Sequence, residues 1–161
     1  MLIRLATDAD ADAVWAILEP IIRAGETYTL PHDMSREDAF RFWFAPSHEV
    51  FVAESEGAIV GTYFLRPNQV GGGSHVCNCG YMTAPAHSGR GVARAMCEHS
   101  LAHARNRGFH AMQFNFVVST NNRAVRLWQS LGFETVGRLP QAFLHPSHGY
   151  VDAFVMYRRL D

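Results

Sequence analysis

The stretch Pro85-Ala86-His87-Ser88-Gly89-Arg90-Gly91-Val92-Ala93-Arg94-Ala95-Met96 puts Gly89 and Gly91 at the mouth of a helical pattern. The first turn of a helix has backbone N–H groups without intrahelical partners, and the helix dipole adds partial positive charge there. A phosphate is stabilised by both. Glycine lets the backbone approach such an anion with no Cβ in the way, and Arg90 adds a side-chain charge. Two phosphate loops do not fit. A nucleotide P-loop needs Gly-Lys-Ser/Thr, which this chain lacks. The dinucleotide fingerprint needs a third small residue where Arg94 stands.

Other residues invite chemistry. Asn78 and Asn115 fall in the middle of strand patterns among apolar neighbours, so their amides must find partners or a ligand. His75, Cys77 and Cys79 suggest a metal, but alternate side chains on a strand lie about 6.5–7 Å apart. Zinc holds its ligands at about 2.0–2.3 Å, so three in a row cannot converge. The cysteines are expected in the core, and no metal is expected. His145 and His148 flank Pro146 in a late loop, within possible reach of a site as bases.

The elements that position these residues follow from periodicity and punctuation. Leu2 to Ala6 reads as a strand. Thr7, with Asp10, caps a helix whose apolar face is Val14, Ile17, Leu18 and Ile21; Pro20 is expected to kink or end it. Ser35 caps a second helix bearing Phe40, Trp43 and Phe44. Val50–Glu54 and Ala58–Leu65 read as a hairpin through Glu56-Gly57, and His75–Thr83 as a further strand. Gly89 to Arg107 is a long helix closed by Gly108. Ala111–Val118 alternates as a strand, and Asn121 or Asn122 opens a helix ended by Gly132. Phe133–Leu139 and Tyr150–Arg159 close the chain as strands. The order β-α-α-β-β-β-α-β-α-β-β predicts a single α/β domain over residues 1–161.

Bulk properties narrow the class. The chain has 161 residues, 48% of them hydrophobic, and a formal net charge of −1. Without a basic stripe, nucleic acid is not an expected partner. No apolar run reaches the length of a membrane span. Met1 to Leu5 is too short and too soon charged for a signal peptide. Three cysteines without an export signal argue against disulfides. The expectation is a cytoplasmic protein without a membrane partner; a homodimer is left open.

Pro85 to Ala93 resembles the pyrophosphate loop of the GNAT superfamily of acyl-CoA-dependent N-acyltransferases, whose pattern is Arg/Gln-x-x-Gly-x-Gly/Ala. Gly91 and Ala93 match, while Ser88 stands where Arg or Gln is usual. Asn121-Asn122-Arg123-Ala124-Val125-Arg126-Leu127-Trp128, ending at Gly132-Phe133, is similar to the family's Asn-x-x-Ala-x-x-Leu-Tyr-x-x-x-Gly-Phe segment. The two segments stand in the family's order with a strand between, and the element order agrees over nearly the whole chain.

The resemblance implies a mixed, mostly antiparallel sheet splayed between strands four and five, with acetyl-CoA in the wedge as co-substrate. Its pantetheine amides would bond the backbone near Tyr81, Met82 and Thr83. Its pyrophosphate would sit on the N–H groups of Ser88, Gly89, Arg90, Gly91, Val92 and Ala93. Asn121, Ala124 and Trp128 would line the thioester end. Many members use the tyrosine of the second segment to protonate the departing thiolate. Trp128 occupies that place here, and an indole N–H is a poor acid. Asn78, Asn115 and Asn121 also resemble three asparagines of the fungal proline-analogue N-acetyltransferases, which implies catalytic roles on the acceptor side. The implied function is acetyl transfer to a small amine, such as an amino acid or analogue, by direct attack on the thioester. Acetylation of a protein N-terminus or lysine, and non-catalytic acyl-CoA sensing, stay open as alternatives.

Overall fold

The computed structural model describes Met1–Asp161. Its strands are β1 (Leu2–Leu5), β2 (Glu49–Ser55), β3 (Ala58–Pro67), β4 (Val76–Thr83), β5 (Ala111–Val118), β6 (Glu134–His145) and β7 (Gly149–Arg159). They form one sheet in the order β1-β2-β3-β4-β5-β7-β6. Every neighbouring pair is antiparallel except β4 with β5. The helices are α1 (Ala11–Ala24), α2 (Arg36–Trp43), α3 (Val92–Asn106) and α4 (Asn122–Ser130). The sheet is mixed and mostly antiparallel, and the element order follows the sequence reading.

Strand alternation sorts side chains into two cores. Val50, Val52, Phe64 and Met82 pack with α1 and α2 on one face. Phe51, Ala53, Tyr63, Leu65, Cys77 and Cys79 pack with α3 and Trp128 of α4 on the other. No helix is long and apolar enough to cross a membrane.

Asp10 ties the first strand to the first helix. It accepts from Arg4 Nη1 and Nη2, both at 2.8 Å, and from the Thr7 backbone N–H at 2.8 Å. The Arg4 guanidinium holds its carboxyl well below the usual carboxylate range. Pro20 does not end α1, which continues to Ala24. A proline inside a helix costs about 3 kcal/mol or more. Val14, Ile17, Leu18 and Ile22 are all buried, and each contributes about 1.5–3 kcal/mol, which outweighs the missing N–H. Gly25 ends the helix in the left-handed region, its N–H donating to the Ile21 carbonyl at 3.3 Å. The last strands are longer than expected. β6 runs to His145 and pairs with β7 through His145↔Gly149, so His145 ends a strand, while His148 lies in the short turn between β6 and β7.

α3 lies against β3 at Gly61. A Cβ there would stand 2.8 Å from Val92 Cγ1 and 2.9 Å from Met96 Sδ. The missing side chain lets the first turns of α3 seat on the sheet. Gly61→Val is expected to destabilise the fold by about 1–3 kcal/mol through overpacking, read as a lowered midpoint of denaturant unfolding. An unchanged midpoint would show that α3 can shift without cost.

Candidate active site

The parallel ladder between β4 and β5 contains only Val76↔Ala111 and Cys77↔Met112. Just beyond it, Asn78 Nδ2 donates to the Gln113 carbonyl at 2.9 Å. From there the strands diverge. β5 also shifts register against β7 between Phe114 and Val117, so Asn115 and Phe116 fall outside the ladder. Two cavities, of about 520 Å³ and 320 Å³, open on the wedge. Tyr81, Thr83, Ser88, Asn121, Ala124 and Trp128 line both, so the two spaces meet there.

The smaller cavity lies against the start of α3. Gly89 (φ +78°) and Gly91 (φ +82°) adopt the left-handed region, which turns the chain into the helix. The N–H groups of Gly89, Gly91, Val92, Ala93 and Arg94 find no acceptor in the chain. A Cβ at Gly91 would meet nothing within 4 Å, so this backbone faces open space. The structure narrows the expected row of donors. Ser88 N–H bonds back to the Pro85 carbonyl at 3.2 Å, and Arg90 N–H to the His87 carbonyl at 3.4 Å. The Arg90 side chain is exposed and does not line the cavity. Arg123 does line it, and its Nη1 donates to Ser88 Oγ at 2.6 Å. Buried His87 Nδ1 has no partner in the chain. Free donors, open space and a nearby guanidinium fit a diphosphate such as that of acetyl-CoA.

β4 presents different groups to each side. Ala84 N–H donates to the Val60 carbonyl at 2.9 Å. The alternation of an antiparallel ladder then turns the backbone of Met82 toward β3, and that of Tyr81 and Thr83 toward the wedge. Met82 is therefore not placed to bond a ligand through its backbone. The Tyr81 carbonyl already accepts from the Tyr28 hydroxyl at 2.9 Å. What remains open is the N–H of Tyr81 and both backbone groups of Thr83.

The larger cavity lies on the α1 and α2 face. Ile21, Tyr28, Phe42, Phe64, Phe116 and Val118 give it an apolar lining. A Cβ on Gly80 would come within 2.6 Å of the Phe64 ring and 3.1 Å of the Tyr28 hydroxyl, so glycine keeps this floor clear. Asn78 and Asn115 both line it. Asn78 Oδ1 accepts from Arg66 Nε at 3.4 Å, and Asn115 Nδ2 donates to Asn68 Oδ1 at 2.7 Å. Asn121 caps α4, its Oδ1 accepting from Ala124 N–H at 3.3 Å. All three amides thus carry strand or helix bonds while facing the wedge. Arg66, which the sequence reading missed, also lines this cavity and has no carboxylate partner. Its signal was a lone cation ending the apolar run Thr62-Tyr63-Phe64-Leu65.

No Asp, Glu or His lines the larger cavity. His145 is buried with its ring 4.5 Å from that of His148, and neither lines either cavity. Burial pushes the Cys97 thiol up to about 12 and raises Cys79, so neither is a ready thiolate. His75 is exposed while Cys77 and Cys79 are buried, so the three do not converge. Burial also raises the hydroxyls of Tyr28 and Tyr81. Trp128 packs its ring 5.2 Å from Tyr81 and 5.1 Å from Phe114, forming a wall between the cavities.

Comparison with known proteins agrees with this geometry. A family model described as the acetyltransferase (GNAT) family matches residues 15–133. The N-acetyltransferase aca1 of Schizosaccharomyces pombe is 30% identical over 83% of this chain and 72% of its own. The L-amino acid N-acyltransferase MnaT of Escherichia coli is 28% identical over 88% and 84%. Among solved structures, a GCN5-related N-acetyltransferase from Kribbella flavida superposes with a TM-score of 0.93 at 42% identity, covering 98% of this chain and 96% of that one. The protein yncA of Salmonella typhimurium, solved with its cofactor acetyl-CoA, gives 0.86 at 25% identity over 100% and 94%. With its splayed β4–β5 pair and its open-amide loop before α3, this chain belongs to the GNAT family of N-acetyltransferases.

Proposed function

We propose that this protein moves the acetyl group of acetyl-CoA onto the amine of a free amino acid or small amino-acid analogue. Arg66 carries this reading: it is a cation without a carboxylate partner on the wall of an apolar cavity that opens on the wedge. Such a guanidinium is stabilised by a carboxylate, which it can hold through two parallel bonds. A carboxylate held there leaves the neighbouring α-amine inside the same cavity. The name of the relative MnaT points to the same acceptor class. The free N–H groups before α3 support acetyl-CoA as donor, as does the cofactor solved with yncA.

The donor supplies a thioester: the amine nitrogen forms a C–N bond to the acetyl carbon as the C–S bond breaks, and the amine's proton passes through water to the thiolate. The chain's residues orient and shield. Tyr81 and Thr83 N–H, turned to the wedge, are the donors available to charge on the acetyl oxygen. Asn78 holds Arg66 through its Oδ1 and is a positioning residue for the carboxylate. Asn115 does the same for the β5 edge through Asn68 and Gln113. Trp128 is a wall and not an acid. With no Asp, Glu or His lining the acceptor cavity, the amine reacts in its unprotonated form.

Arg66 is tested by pairing L-amino acids with their decarboxylated amines and following acetylation by mass spectrometry. The wild type is expected to prefer the acids. Arg66→Met is expected to lower kcat/KM for them by about 10- to 150-fold, the worth of a charged hydrogen-bonded contact, with acetyl-CoA affinity unchanged. Preference for decarboxylated amines, or for peptide N-termini or lysines, would overturn the acceptor class. Tight acetyl-CoA binding without any turnover would favour a sensor.

The pH profile tests the missing base. kcat/KM is expected to climb about tenfold per pH unit until the amine's own pKa is reached. Burial keeps Tyr28 and Tyr81 protonated across this range. An inflection between about pH 5 and 8, where an enzyme histidine titrates, that stays put when the amine is changed would show a general base.

A further inference from the structure

We propose that Arg123, reaching from the first turn of α4, is the cation that binds the diphosphate of CoA at the α3 loop. The proposal rests on the acetyl-CoA reading above. The loop itself offers no guanidinium or ammonium group to the cavity: Ser88 is neutral, and Arg90 is exposed outside the lining. Arg94 lines the cavity, but its Nη2 donates to Ser130 Oγ at 2.8 Å and its Nη1 lies 3.6 Å from Glu98. Arg123 is different. Its Nη1 bonds Ser88 Oγ, and its guanidinium nitrogens lie 3.7 and 3.9 Å from the space a Cβ on Gly89 would occupy. It has no carboxylate partner, and no Asp or Glu lines this cavity.

The electrostatics of the ligand-free chain point the same way. Arg123 sits in the first turn of α4, where the helix dipole disfavours a cation, and α4 has no acidic residue there. It also faces the open N–H groups of α3, a second positive helix end. Positive charge is gathered from two helices and a guanidinium with nothing to neutralise it. A diphosphate between them turns this mutual repulsion into attraction. The hydrogen bond to Ser88 holds the guanidinium over the loop while the ligand is absent.

Calorimetric titration of the wild type with CoA and with dephospho-CoA, which lacks the 3′-phosphate, is compared with Arg123→Gln and Arg123→Lys. Arg123→Gln is expected to weaken both ligands about 10- to 150-fold, as for a lost charged hydrogen bond. Arg123→Lys is expected to recover part of the loss. Because the repulsion is relieved, the Tm of ligand-free Arg123→Gln is expected to equal or exceed that of the wild type. Wild-type affinity for both ligands in Arg123→Gln would overturn the proposal. So would a loss for CoA alone, which would place Arg123 at the 3′-phosphate. A lowered Tm with affinity retained would reduce Arg123 to a strut for Ser88. If the wild type binds neither ligand, the acetyl-CoA reading itself fails, a result distinct from all of these.

Discussion

Where β4 and β5 part after Cys77↔Met112, each strand loses the partner for one edge of its backbone. A buried carbonyl or N–H left without a partner costs about 1–3 kcal/mol, so the divergence has to be answered group by group. Asn78 Nδ2 takes the Gln113 carbonyl, and the Tyr28 hydroxyl takes that of Tyr81. The register shift in β5 frees Asn115 to bond Asn68. The protein thus stabilises its divided sheet with side chains at the vertex and at one carbonyl further along. It leaves open the N–H of Tyr81 and the backbone of Thr83, beside the N–H groups before α3. A ligand with amides along its length and a diphosphate at one end meets both sets.

Because side chains alternate along a strand, β4 also decides which groups face which cavity. Cys77, Cys79 and Tyr81 face α3 and belong to the core beneath the phosphate loop. Asn78, Gly80 and Met82 face the other way, toward α1 and the apolar cavity with Arg66. A single strand edge is therefore shared by two spaces of opposite character. Gly61 and Gly80 play matching parts, one letting α3 come down on the sheet, the other keeping the floor of the larger cavity open.

The elements were legible because their signals are local. Ser35 and Asn121 cap their helices as their side chains predict, and Gly25 and Gly108 sit at helix ends in the left-handed region. The wedge was legible only through the resemblance: nothing in the spacing of Val76–Thr83 says that its pairing with β5 stops after two residues. Pro20 does not end α1 because helix-breaking is a local penalty and the burial that overcomes it is tertiary. Arg66 and Arg123 were missed for a related reason. An arginine in sequence carries no mark of whether a carboxylate will reach it, and here none does. Arg90, next to the glycines in sequence, looked the better anion ligand, yet the two left-handed glycines turn its side chain away from the cavity.

In the proposed reaction the larger cavity supplies no Asp, Glu or His, which restricts how the rate can be raised. An unprotonated amine is already a good nucleophile and a thiolate a good leaving group, so little acid–base help is needed. What remains is to hold both molecules in register, which is worth about 7–11 kcal/mol when the geometry is right. Rigid walls suit that task better than titrating groups. Trp128, Tyr81 and Phe114 form one interlocked aromatic set, and Phe42, Trp43 and Phe64 another. The buried thiols argue against a covalent detour as well. With Cys97 pushed up to about 12 and Cys79 raised by burial, neither supplies the thiolate that an acetyl-enzyme would require. The direct transfer proposed above needs no such thiolate.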